Sequence, residues 1–308
     1  MGASNWYSGV AEKVGWDCGV CEVTIVSDVI RRPAVAGQFY EGSREGLLAE
    51  IEEAYTDRRG PGRVPPVAED GPRRLVGLVC PHAGYIYSGP IAAYAYSALA
   101  EDGRPEAFVI IGPNHGRGTW TSALQVSGGW LTPLGEARVD EELAQTIAAE
   151  LPGFSTEAEA FQAEHSIEVQ LPFLQHLYGA SVKFVPIMML EQDEAAARAV
   201  GLALGKALAG RDVVIIASTD MTHQEPRKVA TEQDGLLAEK IVAMDPEGLL
   251  AERSKRGITM CGYGPTAAML IAAQMLGATE ARLLRYGDSG EAAAMATVVG
   301  YLAAAVYR

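Results

Sequence analysis

From Leu75 onward, short apolar runs alternate with longer segments of helical periodicity, and this alternation confines the chain to a sheet covered on both faces by helices. The runs at 75–80, 107–112, 124–127, 182–187, 212–217 and 282–286 read as strands. Segments 91–100, 140–151, 167–177, 194–209, 227–244 and 265–276 read as helices. Pro172 removes a backbone donor inside 167–177, so that helix is expected to kink or to begin later. Upstream, Ser43 can cap a helix reaching about Tyr55, with Leu47, Leu48 and Ile51 as its apolar stripe. The run 296–306 fits a strand and a helix equally. The expected class is α/β, with one domain over 30–308. The Pro-, Gly- and Arg-rich stretch 56–74 reads as a surface loop too short to divide it. Residues 1–29 show no sustained period and read as an extension ahead of the folded unit.

Charge and cysteine content narrow the function. With 25 Lys and Arg against 39 Asp and Glu, the chain carries a net charge of −14, which argues against nucleic acid and against anionic membranes as partners. No apolar run reaches the roughly 18–20 residues of a membrane span. The first 30 residues lack a basic stretch followed by an apolar core, so a soluble cytoplasmic protein is expected. Four cysteines do not make a disulfide framework in a chain of 308 residues, and reduced thiols are the better reading. Cys18 and Cys21 form a single Cys-x-x-Cys pair, half of a zinc site or a redox dithiol, with no second pair at finger spacing.

Three Gly- and Pro-rich turns carry the chemistry: Cys80-Pro81-His82-Ala83-Gly84-Tyr85, Gly112-Pro113-Asn114-His115-Gly116 and Met260-Cys261-Gly262-Tyr263-Gly264-Pro265. The first two follow strand-like runs directly, and a third run, 212–217, leads into Ser218-Thr219-Asp220-Met221-Thr222-His223. Ligands of α/β sheets bind beyond the carboxyl ends of strands, so His82, His115 and His223 are expected along one edge. Each alone reads as a turn histidine; three at equivalent positions point to one site. His82, His115 and Cys261 read as metal ligands. Cys261 precedes a helix start at Gly264-Pro265, whose dipole is expected to favour the thiolate, whereas Cys80 closes an apolar strand and reads as packing. Glu164-His165-Ser166-Ile167-Glu168 concentrates two carboxylates and a histidine, which can support the ligands or supply an acid or base. Tyr85 and Asn114, in the same turns as the two histidines, are placed in the cleft with Glu164, His165 and Glu168. His176 reads as a cation capping a helix C-terminus.

The segment 30–40 (Ile-Arg-Arg-Pro-Ala-Val-Ala-Gly-Gln-Phe-Tyr), the His82 and His115 turns, Glu164 to Glu168, Ser218-Thr219-Asp220 with His223, and the Cys261 turn together resemble, in order, the Memo family, whose prokaryotic members are called AmmeMemoRadiSam system protein B. The resemblance covers about 30–308. It implies a single three-layer α/β/α domain with a central mixed sheet, similar to class III extradiol ring-cleaving dioxygenases, which bind non-haem Fe(II) through two histidines and a glutamate. Carried over, His82 and His115 match the two histidine ligands, and Cys261 stands where the carboxylate would be. His223 matches the acid/base histidine, with Asp220 as its orienter. A thiolate softens such a site toward copper(I), zinc or iron.

The leading reading is a metal-binding redox protein holding iron or copper, with zinc as a third candidate. As an enzyme it would be a metal-dependent oxidoreductase similar to non-haem iron dioxygenases, with a small molecule or peptide in the cleft. The family name implies a radical SAM protein and an AMMECR-type protein as partners. Two alternatives stay open: a phosphopeptide-binding module using the same cleft, and a metal-free cysteine hydrolase built on Cys261, His223 and Asp220.

Overall fold

The structure, a computed structural model, describes residues 29–116, 121–180 and 182–308. Of the extension 1–29, residues 1–28, with the Cys18/Cys21 pair, lie outside the described residues. In chain order the elements are β1 (Ile30–Arg31), α1 (Arg44–Thr56), β2 (Leu75–Cys80), α2 (Tyr85–Asp102), β3 (Ala107–Pro113), β4 (Ala123–Leu124), β5 (Gly129–Thr132), β6 (Gly135–Val139), α3 (Glu141–Glu150), α4 (Leu171–Tyr178), β7 (Lys183–Met189), α5 (Glu194–Ala207), β8 (Val213–Ser218), β9 (His223–Glu225), α6 (Arg227–Val242), α7 (Pro246–Arg256), α8 (Tyr263–Met275), β10 (Glu280–Asp288) and β11 (Val298–Tyr307).

The sheet runs β1-β5-β6-β7-β3-β8-β2-β11-β10, with β4 on β7 and β9 on β11. Its centre, β6-β7-β3-β8-β2, is parallel, and β11 and β10 continue it antiparallel, giving the mixed sheet expected for a single α/β domain. The parallel strands β2, β3 and β8 are buried along their whole length because helices cover both faces. On one face lie α1, α2 and α4; α3, α5 and α8 pack together on the other, with α8 against β2, β3 and β8. Among the described residues no helix is long and apolar enough to cross a membrane.

Several boundaries differ from the sequence reading for identifiable reasons. The run 124–127 yields only the two-residue β4, since continuing it would set Gln125 opposite Pro186, which has no N–H to return to the ladder. Helix α2 begins at Tyr85 and carries Pro90 inside it; Pro90 leaves the Ile86 carbonyl without its helical donor, and the Arg59 guanidinium donates to it instead at 3.1 Å. The helix expected over 167–177 resolves into a 3-10 turn at Glu168–Gln170 followed by α4 with Pro172 in its first turn. The ambiguous 296–306 is strand β11. The hairpin β5–β6 and helix α7 escaped the sequence reading, although Asp245, Pro246 and Gly257 (φ 64°) are ordinary start and stop signals for α7.

Candidate metal centre

Strands β2 and β3 flank β8, so the loops leaving their carboxyl ends converge. His82 follows β2 by two residues and is buried. Its Nδ1 lies 3.0 Å from Ser218 Oγ at the end of β8, and its Nε2 lies 3.2 Å from Cys261 Sγ. Burial, with His115 nearby, holds the imidazole well below its ordinary pKa, so the ring is neutral. Its backbone N–H donates to Asp220 Oδ1 at 2.8 Å, tying the β2 loop to the β8 loop.

His115 follows β3 and is more exposed than His82. Glu164 grips it twice: His115 Nδ1 lies 2.9 Å from Oε1, and the His115 backbone N–H donates to Oε2 at 2.8 Å. The backbone N–H groups of His165 and Ser166 also donate to Glu164 Oε1, each at 2.8 Å. Burial alone would raise this carboxyl, but the hydrogen bonds and charge from His115, aided by His165, outweigh it and hold Glu164 well below the usual range. The two segments can approach this closely because β3 presents Gly112, where an added Cβ would collide with Ser166 Oγ.

Cys261 arrives from the turn before α8. A Cβ on the next residue, Gly262, would strike the Ser218 carbonyl, so glycine lets the cysteine loop lie on the end of β8. The Asp220 backbone N–H donates to Cys261 Sγ at 3.1 Å. Against the thiolate expected from the α8 dipole, burial and the Asp220 carboxylate push the thiol above its ordinary value in the metal-free protein. Potential ligand atoms of His82, His115 and Cys261 all lie within 4.8 Å of one another. This donor set, two imidazoles and a sulfur, fits copper, zinc or iron.

A family model described as Memo-like protein matches residues 31–305. The chain belongs to the Memo family. It is 45% identical over 282 residues to a MEMO1 family protein of Methanopyrus kandleri, covering 90% of this chain and 99% of that one. It is 45% identical over 277 residues to one of Methanothermobacter thermautotrophicus, covering 89% and 99%. Among solved structures, the crystal structure of an uncharacterized protein of Escherichia coli K12 matches 75% of this chain and 99% of its own with a TM-score of 0.51, at 16% identity, a likeness of fold alone.

In this Memo-family chain the remaining candidates divide sharply. His165 lies against both site histidines: its ring stacks on His115 with centroids 4.6 Å apart and meets His82 edge-on at 5.4 Å. With His115 and Glu164 it forms a second group of potential ligand atoms within 4.8 Å. His223 stands half-buried in β9, and its Nδ1 lies 2.9 Å from the Thr259 carbonyl. Asp220 therefore does not orient it; that carboxylate serves the His82 backbone, and Thr259, which the sequence reading passed over, holds the ring. The triad Cys261–His223–Asp220 of the hydrolase alternative is thus not assembled, since the histidine beside Cys261 is His82.

Glu168 turns away from the histidines. It pairs with Arg31 at 2.7 Å and accepts from Ala34 N, Val35 N and Tyr40 Oη. Tyr85 is likewise committed to packing, donating to the Val169 carbonyl at 2.6 Å. Asn114 braces its own loop, donating to the Thr121 carbonyl and accepting from Gly116 N. His176 does lie in the last turn of α4, but its ring sits beside Tyr55 and 3.9 Å from a Glu52 oxygen, and burial lowers its pKa. Cys80 is fully buried, as its strand position requires.

Proposed function

We propose that this chain is a metal-binding redox protein in which His82, His115 and Cys261 hold one iron or copper ion. The convergence of two neutral-capable imidazoles and one thiol sulfur, all within 4.8 Å, at the carboxyl edge of a parallel sheet carries this reading. Three protein ligands leave coordination positions open, the pattern of reactive rather than purely structural sites. A bound iron or copper ion would supply one-electron chemistry and Lewis acidity at those positions.

The protein's own part is positioning and proton handling. Glu164 and Ser218 hold the ligand rings, and the Asp220 amide donates to the sulfur. With Nδ1 engaged by the Thr259 carbonyl, His223 keeps Nε2 as a base, half-buried and so able to exchange protons with solvent. Association with a radical SAM protein and an AMMECR-type protein belongs to the same proposal.

Elemental analysis of anaerobically purified protein tests the reading. Near one iron or copper per wild-type chain, lost in both His82→Ala and Cys261→Ala, is expected. Folded variants that retain the wild-type metal content would overturn it.

A further inference from the structure

The two histidines are reached from one short segment. Ser166 is fully buried, and all three of its polar groups touch the site's supports. Its N–H donates to Glu164 Oε1 at 2.8 Å, its Oγ donates to the Pro113 carbonyl at 3.1 Å, and its carbonyl accepts from Ser218 Oγ at 2.6 Å.

The proton positions around Ser218 follow by elimination. A backbone carbonyl cannot donate, so the hydrogen in the 2.6 Å contact belongs to Ser218 and points at Ser166. Gln170 donates to Ser218 Oγ at 2.8 Å and to the Pro81 carbonyl at 3.0 Å, while its Oε1 accepts from Tyr96 Oη at 2.6 Å, which fixes the amide's orientation. Ser218 Oγ therefore has no proton left for His82 and only accepts, so His82 Nδ1 carries the hydrogen. At His115 the same result arises from a different partner: Glu164 Oε1 already accepts from the His165 and Ser166 N–H groups and Oε2 from the His115 N–H, so both oxygens serve as acceptors and His115 Nδ1 carries the hydrogen there too.

We propose that Glu164-His165-Ser166 acts as one positioning clamp for both histidines, placing the proton of each ring on Nδ1, through Ser218 for His82 and through Glu164 for His115, and leaving each Nε2 as a bare lone pair. Ser166 and Ser218 are positioning residues. The consequence for metal affinity rests on the metal-binding reading, whereas the tautomers are properties of the metal-free protein.

Long-range 1H–15N NMR of the imidazoles, on the full metal-free chain at pH 8, reads the tautomers directly. In wild type, His82 and His115 should both show protonated Nδ1 and bare Nε2. Ser218→Ala should abolish the preference at His82 and leave His115 unchanged, and Ser218→Thr, which restores the hydroxyl, should recover it. Zn(II) titration of the same samples should show affinity reduced about 10–100-fold in Ser218→Ala, the usual effect of losing such a support. A wild-type His82 or His115 with its proton mainly on Nε2 overturns the clamp, as does a Ser218→Ala protein whose His82 tautomer is unchanged. Should wild type bind no metal, the metal reading fails by itself and the tautomer pattern still decides the clamp.

Discussion

Glu164 and Glu168 lie in the same buried segment, and what surrounds them differs in kind. Glu168 is matched by the guanidinium of Arg31, itself 1% exposed, and by donors from the 34–40 segment. Arg31 is held in turn by the Phe161 and Glu164 carbonyls and by the face of Trp130 at 4.1 Å. Glu164 meets histidine rings and backbone amides instead. A buried charge met by an opposite charge fixes the fold, whereas one met by a histidine fixes a ring and so tunes what that ring can bind. The segment thus fastens the N-terminal arm with one carboxylate and the site with the other.

The sharpest way to break this comparison is Glu168→Ala, which strands the Arg31 charge in the interior. A loss of about 3–5 kcal/mol is expected in denaturant unfolding of the metal-free protein. If the two glutamates are equivalent, Glu164→Ala should cost as much. Glu164→Ala instead strands no opposite charge and leaves amides without an acceptor, at about 1–3 kcal/mol for each amide that solvent does not reach. Its larger signature is functional: metal affinity falling about 10–100-fold in Glu164→Ala, measured by competition with a chromophoric chelator, with wild-type affinity in whatever Glu168→Ala protein folds.

Mild acid acts on the histidine side of the comparison, because histidine is the side chain that changes charge there. His82 and His176 are both held below their ordinary value by burial, so the unfolded chain takes up protons that the folded chain refuses. Stability is complete above about pH 6.5 and falls as pH drops below it. Metal-free His82→Gln should show a slope shallower by about one proton, roughly 1.4 kcal/mol per pH unit, between about pH 6.5 and 5. An unchanged slope would mean that His82 titrates normally in the folded protein. Glu164 acts lower: its depressed carboxyl adds stability above about pH 4.3 that is lost on further acidification.

Much of this division was legible in the sequence, and its limit is instructive. The apolar runs located β2, β3 and β8 because fully buried strands need no alternation, and the turns after them carried His82, His115 and Asp220. The proximity of Glu164 and Glu168 in sequence suggested a shared role, yet their carboxylates part company: the 3-10 turn Glu168–Gln170 begins at Glu168 and leaves Glu164 in the loop ahead of it. Which carboxylate meets the histidines depends on Arg31, more than 130 residues upstream, and spacing holds no record of such a contact. Thr259 carried no signal of its own; it holds His223 through its hydroxyl and its carbonyl, and a main-chain acceptor has no sequence signature.

Tyr40→Phe probes the fold side at its mildest. The Tyr40 hydroxyl donates to Glu168 Oε1 at 2.7 Å, one of four groups on that carboxylate with Arg31, Ala34 N and Val35 N. Removing it leaves the ring's packing against Tyr85 in place and the ion pair intact, so the loss should be about 1.5–3 kcal/mol, a single hydrogen bond to a charged group. Metal affinity should not move, since no bond connects Tyr40 to His82, His115 or Cys261. If Tyr40→Phe weakened metal binding as much as Glu164→Ala does, strain at Glu168 would be reaching the histidines through the shared segment. The two carboxylates would then be one unit, with Arg31 acting on the site through the Glu164 carbonyl it holds at 2.6 Å.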